Sequence, residues 1–362
     1  MEKGVFINTK AAKFRKGITK DILLQARLKM NYWQVAAGDS NRDYSELFLR
    51  YGIMLIGPGD PGPYFENKDS YQKNRDIIAF SQEVQSGDIV ILKKPMGTSW
   101  EAIAAGIVHE EYKHLDVFDD VEGWNLQHCR FVKWTRPHNP PFEINSLKRG
   151  TFIGIRIDSA KKKADELLQS GEKLSSEIIP KPTVMMSDED LVDILIDHGL
   201  RIKDAEDLTQ TILRVKRLVN WYNEKGTEIS EHETRSFLIL PLLLALGWAE
   251  QKLKIEWKNL DIAFFSQPYT KNSDPDDCIM ILESKKFDEG FSSATKQAEK
   301  YAKDYPNCKR TIISDGCRYR LYKRRSNDWN YTAYLNILKP KRNHPYDINI
   351  RGAADVFLSL ME

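Results

Sequence analysis

The chain has 362 residues, 41% of them hydrophobic, which is enough apolar side chain for one or two real cores and excludes wholesale disorder. A net charge of +2, from 54 basic and 52 acidic residues, excludes a global positive field, so any nucleic-acid contact has to come from local patches. The four cysteines (Cys129, Cys278, Cys308, Cys317) form no CxxC pair, which argues against a zinc site or a disulfide framework and fits a reducing cytoplasm.

In chain order, residues 1 to about 30 are basic and polar, with a short amphipathic piece at DILLQARLKM and no apolar signal segment. From Asn31 the chain turns strand-rich, through YWQVAAG, GIMLIGPG, GDIVILKKP, EAIAAGIV and CRFVKWTRP, with TFIGIRI as a last strand. RDYSELFLRYG and DSYQKNRDIIAFSQEVQ have apolar residues three and four apart, as helices do. GPGDPGPY lacks a following lysine and a helix start, so it reads as a turn-rich loop rather than a nucleotide site. HNPPFEINSLKRG is a loop, and KKKADELLQSGEK through IIPKPTVMM reads as a linker.

A second unit opens at SDED, a helix start with an N-cap serine and acids in the first turn. The helices LVDILIDHGL and AEDLTQTILRVKRLVNWYNEKG follow, the latter stopped by Gly226. Next comes the glutamate-led helix SEHETRSFLILPLLLALGW, whose longest apolar run is shorter than the roughly 20 residues of a membrane span. The strands LKIEWKN, LDIAFFS and CIMILESKK, the helix ATKQAEKYAKDY and the strands RTIISDG and YRLYKRR complete an α/β order with a small mixed sheet. The expected boundaries are 1–160 for the first domain, 161–186 for the linker, 187–345 for the second domain and 346–362 for a tail helix.

Chemistry concentrates in the second unit. Asp261 interrupts the apolar strand LDIAFF, and Glu283 with Lys285 ends the apolar run Ile279 to Leu282. Glu-x-Lys by itself is weak, since it recurs at Glu66, Glu111, Glu250 and Glu256 and usually marks a solvated charge pair. Burying carboxylates costs several kcal/mol unless they are paired or bind a cation, so two acids each set in an apolar strand point to a shared cation. Two carboxylates on adjacent strands can chelate a divalent ion, and a nearby lysine can orient a water, a set that hydrolyses phosphodiesters. On the preceding helix, the line through Leu242, Leu238 and Arg235 reaches Glu231, which would point inward, while Glu233 lies off it. The plainer reading of Glu231 is an acid complementing the helix dipole. Gln297 and Tyr301 share one helical face, a spacing no better than chance when taken alone. Lys323, Arg324 and Arg325 read either as a grip on a nucleic-acid backbone or as solvated charges.

Together these residues resemble the PD-(D/E)xK nuclease superfamily, and within it the N-terminal nuclease domain of type I restriction motor subunits. The resemblance spans Ser230 to Lys323 and is carried by SEHETR, PLLLALGW, Asp261, Glu283-Ser284-Lys285, Gln297 to Tyr301 and TIISDGCRYRLY. It implies that Asp261 and Glu283 hold Mg²⁺ (Mn²⁺ substituting), that Lys285 assists the attacking water, and that Glu231 completes the metal shell. It also implies that Gln297 and Tyr301 mark one branch of the superfamily. No proline precedes Asp261, a departure that puts little in doubt. No GxxxxGK(S/T) phosphate loop occurs, so no ATP-driven motor is expected.

The first unit, rich in Trp and Tyr, resembles the PUA-like group, in particular EVE and YTH domains, over roughly 31 to 157. Those small barrels read modified bases in aromatic cages. A flipped base wants aromatic faces and a few polar edges, so Trp33 and Trp100, with Trp124 and Asp39 behind them, are the base-binding candidates; the competing reading of each tryptophan is a core residue. The expected whole has two domains of α/β and α+β class: an N-terminal PUA-like small β-barrel with helices, and a C-terminal restriction-endonuclease-like mixed sheet flanked by helices. The expected function is a cytoplasmic Mg²⁺-dependent endonuclease in phage defence that cuts double-stranded DNA bearing methylated or hydroxymethylated cytosine, as a homodimer and without ATP or membrane. The alternatives are a nuclease acting on RNA or plain DNA, and a catalytically silent nucleic-acid-binding module.

Overall fold

The computed structural model describes residues 30–95, 100–292, 295–296, 300, 304–326 and 328–362. Nine strands build the first sheet: β1 (Tyr32–Ala36), β2 (Ile53–Ile56), β3 (Ile89–Lys93), β4 (Glu101–Val108), β5 (Lys113–His114), β6 (His128–Arg136), β7 (Phe142–Glu143), β8 (Phe152–Gly154) and β9 (Glu172–Lys173). The sheet curls as a half-barrel in the order β2-β6-β4-β3-β1-β8, with β5 and β9 added to β6 and β7 to β4. β1 and β3 are its only parallel pair among the described strands. β3, IVILK, is buried at every position, as a strand paired on both sides and covered on both faces must be.

Helix α1 (Ser45–Tyr51) closes one end of this unit and stops at Gly52, whose φ of 61° lets its N–H reach back to the Leu49 and Phe48 carbonyls. A Cβ there would meet Ser176 Oγ at 2.1 Å, so glycine is required by both the backbone and the space. Trp134 fills the core beneath, its indole N–H donating to the Phe48 and Ile53 carbonyls at 3.1 Å. A second short helix, α2 (Arg75–Ile78), runs into a π-helical turn over Ala79–Glu83.

The linker expected over 161–186 is corrected. Residues Asp158–Ser170 form helix α3, which buries Ala160, Ala164 and Leu167, spaced by four and three. Ala160 and Ala164 pack with Ile89, Ile91 and Ala102 of the sheet, and β9 then pairs with β6. The run KKKADELLQSGEK looks polar because only one narrow stripe of it is apolar. That stripe has a sheet to cover.

The second unit begins with α4 (Asp188–Asp197), started by a capping box between Ser187 and Asp190, and α5 (Ile202–Lys225), ended by Gly226 in the left-handed region. α6 (Glu231–Thr234), a π-helical turn over Arg235–Ile239 and α7 (Leu240–Ala245) then run on end to end. Pro241 has no N–H to offer the Phe237 carbonyl four residues back, and Arg214 donates to that oxygen instead at 3.0 Å. The sequence pattern predicts one regular helix here; the π turn is the difference, and it widens the helix where Arg235 leaves it.

Six strands follow in sequence order as one sheet: β10 (Leu253–Trp257), β11 (Leu260–Phe265), β12 (Cys278–Ser284), β13 (Arg310–Ser314), β14 (Arg318–Arg325) and β15 (Asp328–Asn336). All neighbours are antiparallel except β12 and β13. One face, through Ile262, Phe264, Leu282 and Leu321, packs on the helices; the other, through Ala263, Phe265 and Ile281, packs on Tyr305 and Cys308. The tail helix expected over 346–362 is also corrected. Its helical part is α8 (Ala353–Leu360), whose Ala353, Val356, Phe357 and Leu360 are buried in the main core of this unit. No helix among the described residues is long and apolar enough to cross a membrane.

The two sheets meet along a charged seam. The acidic stretch at 119–122 is clasped from the second unit: Arg320 pairs with Glu122, Lys341 with Asp119, and Tyr334 donates to Asp120 at 3.1 Å. Arg50 and Asp347 add a pair at 2.6 Å. Glu122 and Arg320 are nearly shielded from water, so deleting one partner strands the other. Glu122→Gln is expected to cost on the order of 3 kcal/mol in denaturant unfolding, and Glu122→Leu with Arg320→Met to recover most of it. Equal losses in the single and double variants would rule out an electrostatic seam.

Candidate functional site

Ser230 caps α6, accepting from the Glu233 N–H while the Glu233 carboxylate reaches back to the Ser230 N–H at 2.8 Å. That box occupies Glu233 and leaves Glu231, in the same first turn, to face the sheet. There Glu231 Oε1 lies 3.2 Å from Ser284 Oγ and 3.3 Å from Arg235 Nη2. Asp261, near the start of β11, accepts from the Ser284 N–H at 2.7 Å and Oγ at 2.9 Å through one oxygen, and from Arg235 at 3.0 Å through the other. Alternation along β12 puts Glu283 on the sheet face of Ile281 and Ser284 on the opposite face. Both lie at the strand end that β11 delivers to the same place, because Ile262 pairs with Leu282. The structure therefore brings Glu231, Asp261, Glu283 and Lys285 into one cluster. Gln297 and Tyr301 lie outside the described residues.

Glu283 is 2% exposed. Its Oε1 takes the Lys285 ammonium at 3.0 Å, while its Oε2 is buried with no hydrogen-bond partner. Burial, then the neighbouring Asp261 charge, push its carboxyl up to about 7 against the pull of Lys285. Burial also works against the Lys285 ammonium, but Glu283, with Glu231 and Asp261 behind it, outweighs burial and holds its pKa above the usual lysine value. Lys285 is therefore a fixed cation at neutral pH, suited to orienting and neutralising rather than to removing a proton.

Among the described residues no three His, Cys, Asp or Glu side chains are grouped closely enough to hold a metal ion. Arg235, 4% exposed, holds its guanidinium among Glu231, Asp261 and Glu256. The donor set nonetheless suits a hard divalent ion: carboxylate oxygens, one of them orphaned. Four carboxylates face one guanidinium and one ammonium, so carboxylates outnumber their cationic partners. Arg235, Ser284 and Glu256 were not singled out from sequence; the signal for Arg235 was its place one helical turn after Glu231. Lys323, Arg324 and Arg325 are not at this cluster. Lys323 pairs with Arg310 at the start of β13, whereas Glu283 pairs with Ile313 near its end, so these cations sit at the opposite end of the sheet.

The four base-binding candidates do not converge. Trp33 is a core residue, its ring stacked on Phe152 at 5.0 Å and its N–H donated to Asp88 at 2.9 Å. Trp100 is half exposed. Asp39 is paired with Arg42 at 3.0 Å. Trp124 lines a cleft of about 480 Å³, together with Gly38, Pro58, Asp60, Asn125 and Lys339, whereas Trp33 borders a separate cleft of about 840 Å³ beside Arg75, Asp76 and Arg156. The Arg42 guanidinium lies 4.7 Å from its ring centroid and Tyr44 meets its edge. The cleft's Gly57–Asp60 wall is held from behind by histidines: His128 Nε2 donates to the Pro58 carbonyl at 3.0 Å and His114 Nε2 approaches the Gly59 carbonyl at 3.0 Å. Burial pulls His128 down to about 4, so it is neutral, and its Nδ1 accepts from Tyr112 Oη at 2.7 Å.

A family described as a domain of unknown function (DUF8426) matches residues 33–154. No curated protein matches the chain. Among solved structures, the chain is similar to the YTH domain of Zygosaccharomyces rouxii MRB1 in complex with N6-methyladenosine RNA, at 12% identity and a TM-score of 0.23, covering 38% of this chain and 86% of that one. It is also similar to the Pho92 YTH domain in complex with m6A, at 14% identity and a TM-score of 0.25, covering 41% of this chain and 91% of that one.

The depressed His128 has a pH consequence. An unfolded histidine takes a proton near 6.5 and this folded one only near 4, so its contribution to stability is present above 6.5 and is lost as pH falls toward 4. The full loss is on the order of 3 kcal/mol, and His344, likewise lowered by burial, adds in the same direction. Urea midpoints measured from pH 7 to 4 are expected to fall, and less steeply in His128→Gln, whose amide can keep the Pro58 bond. An unchanged slope in that variant would refute this assignment.

Proposed function

We propose that this chain is a metal-dependent DNA endonuclease, directed to base-modified double-stranded DNA by its N-terminal unit and acting in restriction of foreign DNA. The observation that carries this reading is the meeting of Glu231, Asp261, Glu283 and Lys285 at one strand end, with Glu283 Oε2 buried and unsatisfied. A chain does not gather one buried and three half-buried charged groups for stability, since well-packed apolar residues would do better. Such a cluster is a functional candidate on physical grounds. Mg²⁺, with Mn²⁺ as a substitute, would be held by Asp261, Glu283 and Glu231, and when bound would polarise the phosphate and acidify a water.

The protein groups have separate tasks. Ser284 fixes Asp261 through its backbone N–H and its hydroxyl, which holds that carboxylate in one rotamer. Lys285, kept charged by Glu283, would face the charge that grows on the phosphate in the transition state. On the N-terminal side, the Trp124 cleft offers an aromatic face with Asp60 and Asn125 at its rim, which fits a flipped base better than the buried Trp33 does. Cutting both strands with one such cluster per chain calls for two chains, in keeping with a homodimer.

The test is digestion of plasmids carrying plain cytosine, methylcytosine or hydroxymethylcytosine, with an RNA arm, in Mg²⁺ or EDTA. Cleavage is expected with Mg²⁺ and modified DNA only. Lys285→Ala is expected to lower the rate about 100-fold or more. Trp124→Ala is expected to weaken binding to modified DNA roughly 10- to 100-fold while sparing plain DNA. Mg²⁺-independent cleavage, or cleavage untouched by Lys285→Ala, would end the nuclease reading; equal cutting of all DNAs would end the modified-base reading.

A further inference from the structure

Arg235 is the best-connected side chain of the carboxylate cluster. Its Nη2 donates to Asp261 Oδ1 at 3.0 Å and lies 3.3 Å from Glu231 Oε1; its Nη1 donates to Glu256 Oε1 at 3.0 Å, and its Nε to Ser284 Oγ at 3.2 Å. Two of these contacts occupy the carboxylate oxygens that a divalent ion would need. The third does not. Glu256 is more than half exposed and belongs to no pair in the β10–β11 register, which passes from Ile255–Ile262 to Trp257–Leu260. The register is unshifted there, so Glu256 stands opposite Asp261, and its φ of 51° is a left-handed conformation that a glutamate adopts only at some cost. His232 Nδ1, 3.1 Å from the same Glu256 oxygen, holds that carboxylate beside the guanidinium.

We propose that Arg235 is a built-in competitor for the cation site: its guanidinium neutralises Glu231 and Asp261 in the cation-free protein, and Glu256 retains it when a divalent ion takes those oxygens. This rests on the metal-dependent reading above and adds to it the residue pair that sets cation affinity. The physical logic is charge balance. Buried carboxylates without a counter-charge destabilise the fold, so a protein that must exist without its ion benefits from an internal cation. An arginine fixed only by the proposed ligands would block the ion, and a fourth carboxylate outside that ligand set and open to solvent gives the guanidinium somewhere to stay. Arg235 is thus a positioning residue, acting through the carboxylates and not on the substrate.

The experiment is Mn²⁺ binding to the full chain without DNA, by titration calorimetry and by melting temperature with and without Mn²⁺, in wild type, Arg235→Met, Arg235→Lys, and Glu256→Gln alone and in the Arg235→Met background. Arg235→Met is expected to melt lower in EDTA, to gain more from Mn²⁺, and to bind it at least tenfold more tightly. Arg235→Lys, which keeps the charge and the fold but has fewer donors, is expected to move the same way by a smaller factor and decides the matter if the methionine variant does not fold. Glu256→Gln is expected to bind Mn²⁺ several-fold more weakly in the presence of Arg235 and to have little effect in the Arg235→Met background, a dependence that simple loss of a carboxylate charge would not produce. Wild-type Mn²⁺ affinity in both Arg235 variants would overturn the proposal and leave the metal-dependent reading standing. Absence of Mn²⁺ binding in wild type and every variant alike would instead remove the metal-dependent reading, and this proposal with it.

Discussion

The constraint on which the second unit depends is the burial of carboxylates at one end of its mixed sheet. Asp261 and Glu283 ride on adjacent, largely apolar strands packed on both faces, and Glu283 cannot swing into water without breaking the pairing of Ile262 with Leu282. Their charges must then be met locally. Lys285 meets Glu283, Ser284 and Arg235 meet Asp261, and the helix carrying Arg235 also delivers Glu231. The π turn that begins at Arg235 belongs to the same requirement. Pro241 breaks the regular helical bonding, Arg214 satisfies the carbonyl left over, and the helix widens where Arg235 leaves it.

The two units are joined by groups that also border the two candidate sites. Arg42 lies over Trp124 in the N-terminal cleft, and its guanidinium pairs with Asp288, three residues after Lys285. Gly290 in that loop sits so close to the Asn41 backbone that a Cβ would meet the Asn41 carbonyl oxygen at 2.2 Å. Arg318, held by Asp315 at 2.9 Å, reaches the carbonyls of both Glu289 and Glu122. The cleft and the carboxylate cluster are therefore linked by one layer of paired charges around the buried Arg42 and Arg318, in which a loss on either side leaves an uncompensated partner.

Much of the local structure was legible in the chain itself. The run of strands from Tyr32 onward, the capped helix starts at Ser187 and Ser230, the stop at Gly226 and the acids interrupting β11 and β12 all follow from patterning and capping. These are properties of near neighbours, and sequence spacing reports near neighbours well. The polar segment at 158–170 was misread because a helix with a single apolar stripe resembles a linker until a sheet covers it. β15 went unmarked because its aromatics and polar residues alternate only weakly; it earns its place by pairing along β14.

Sequence by itself determined which acids would be set in apolar strands and which strands they sit on, because alternation and apolar runs are read directly from near neighbours. Only the tertiary structure decided what surrounds them. It set Arg235 among Glu231, Asp261 and Glu256, put Lys323 to Arg325 at the end of the sheet opposite the carboxylates, buried Trp33 against Phe152 and left Trp124 on an open cleft. Those outcomes depend on contacts between residues far apart in the chain, whose register and facing are fixed when the elements pack and not before.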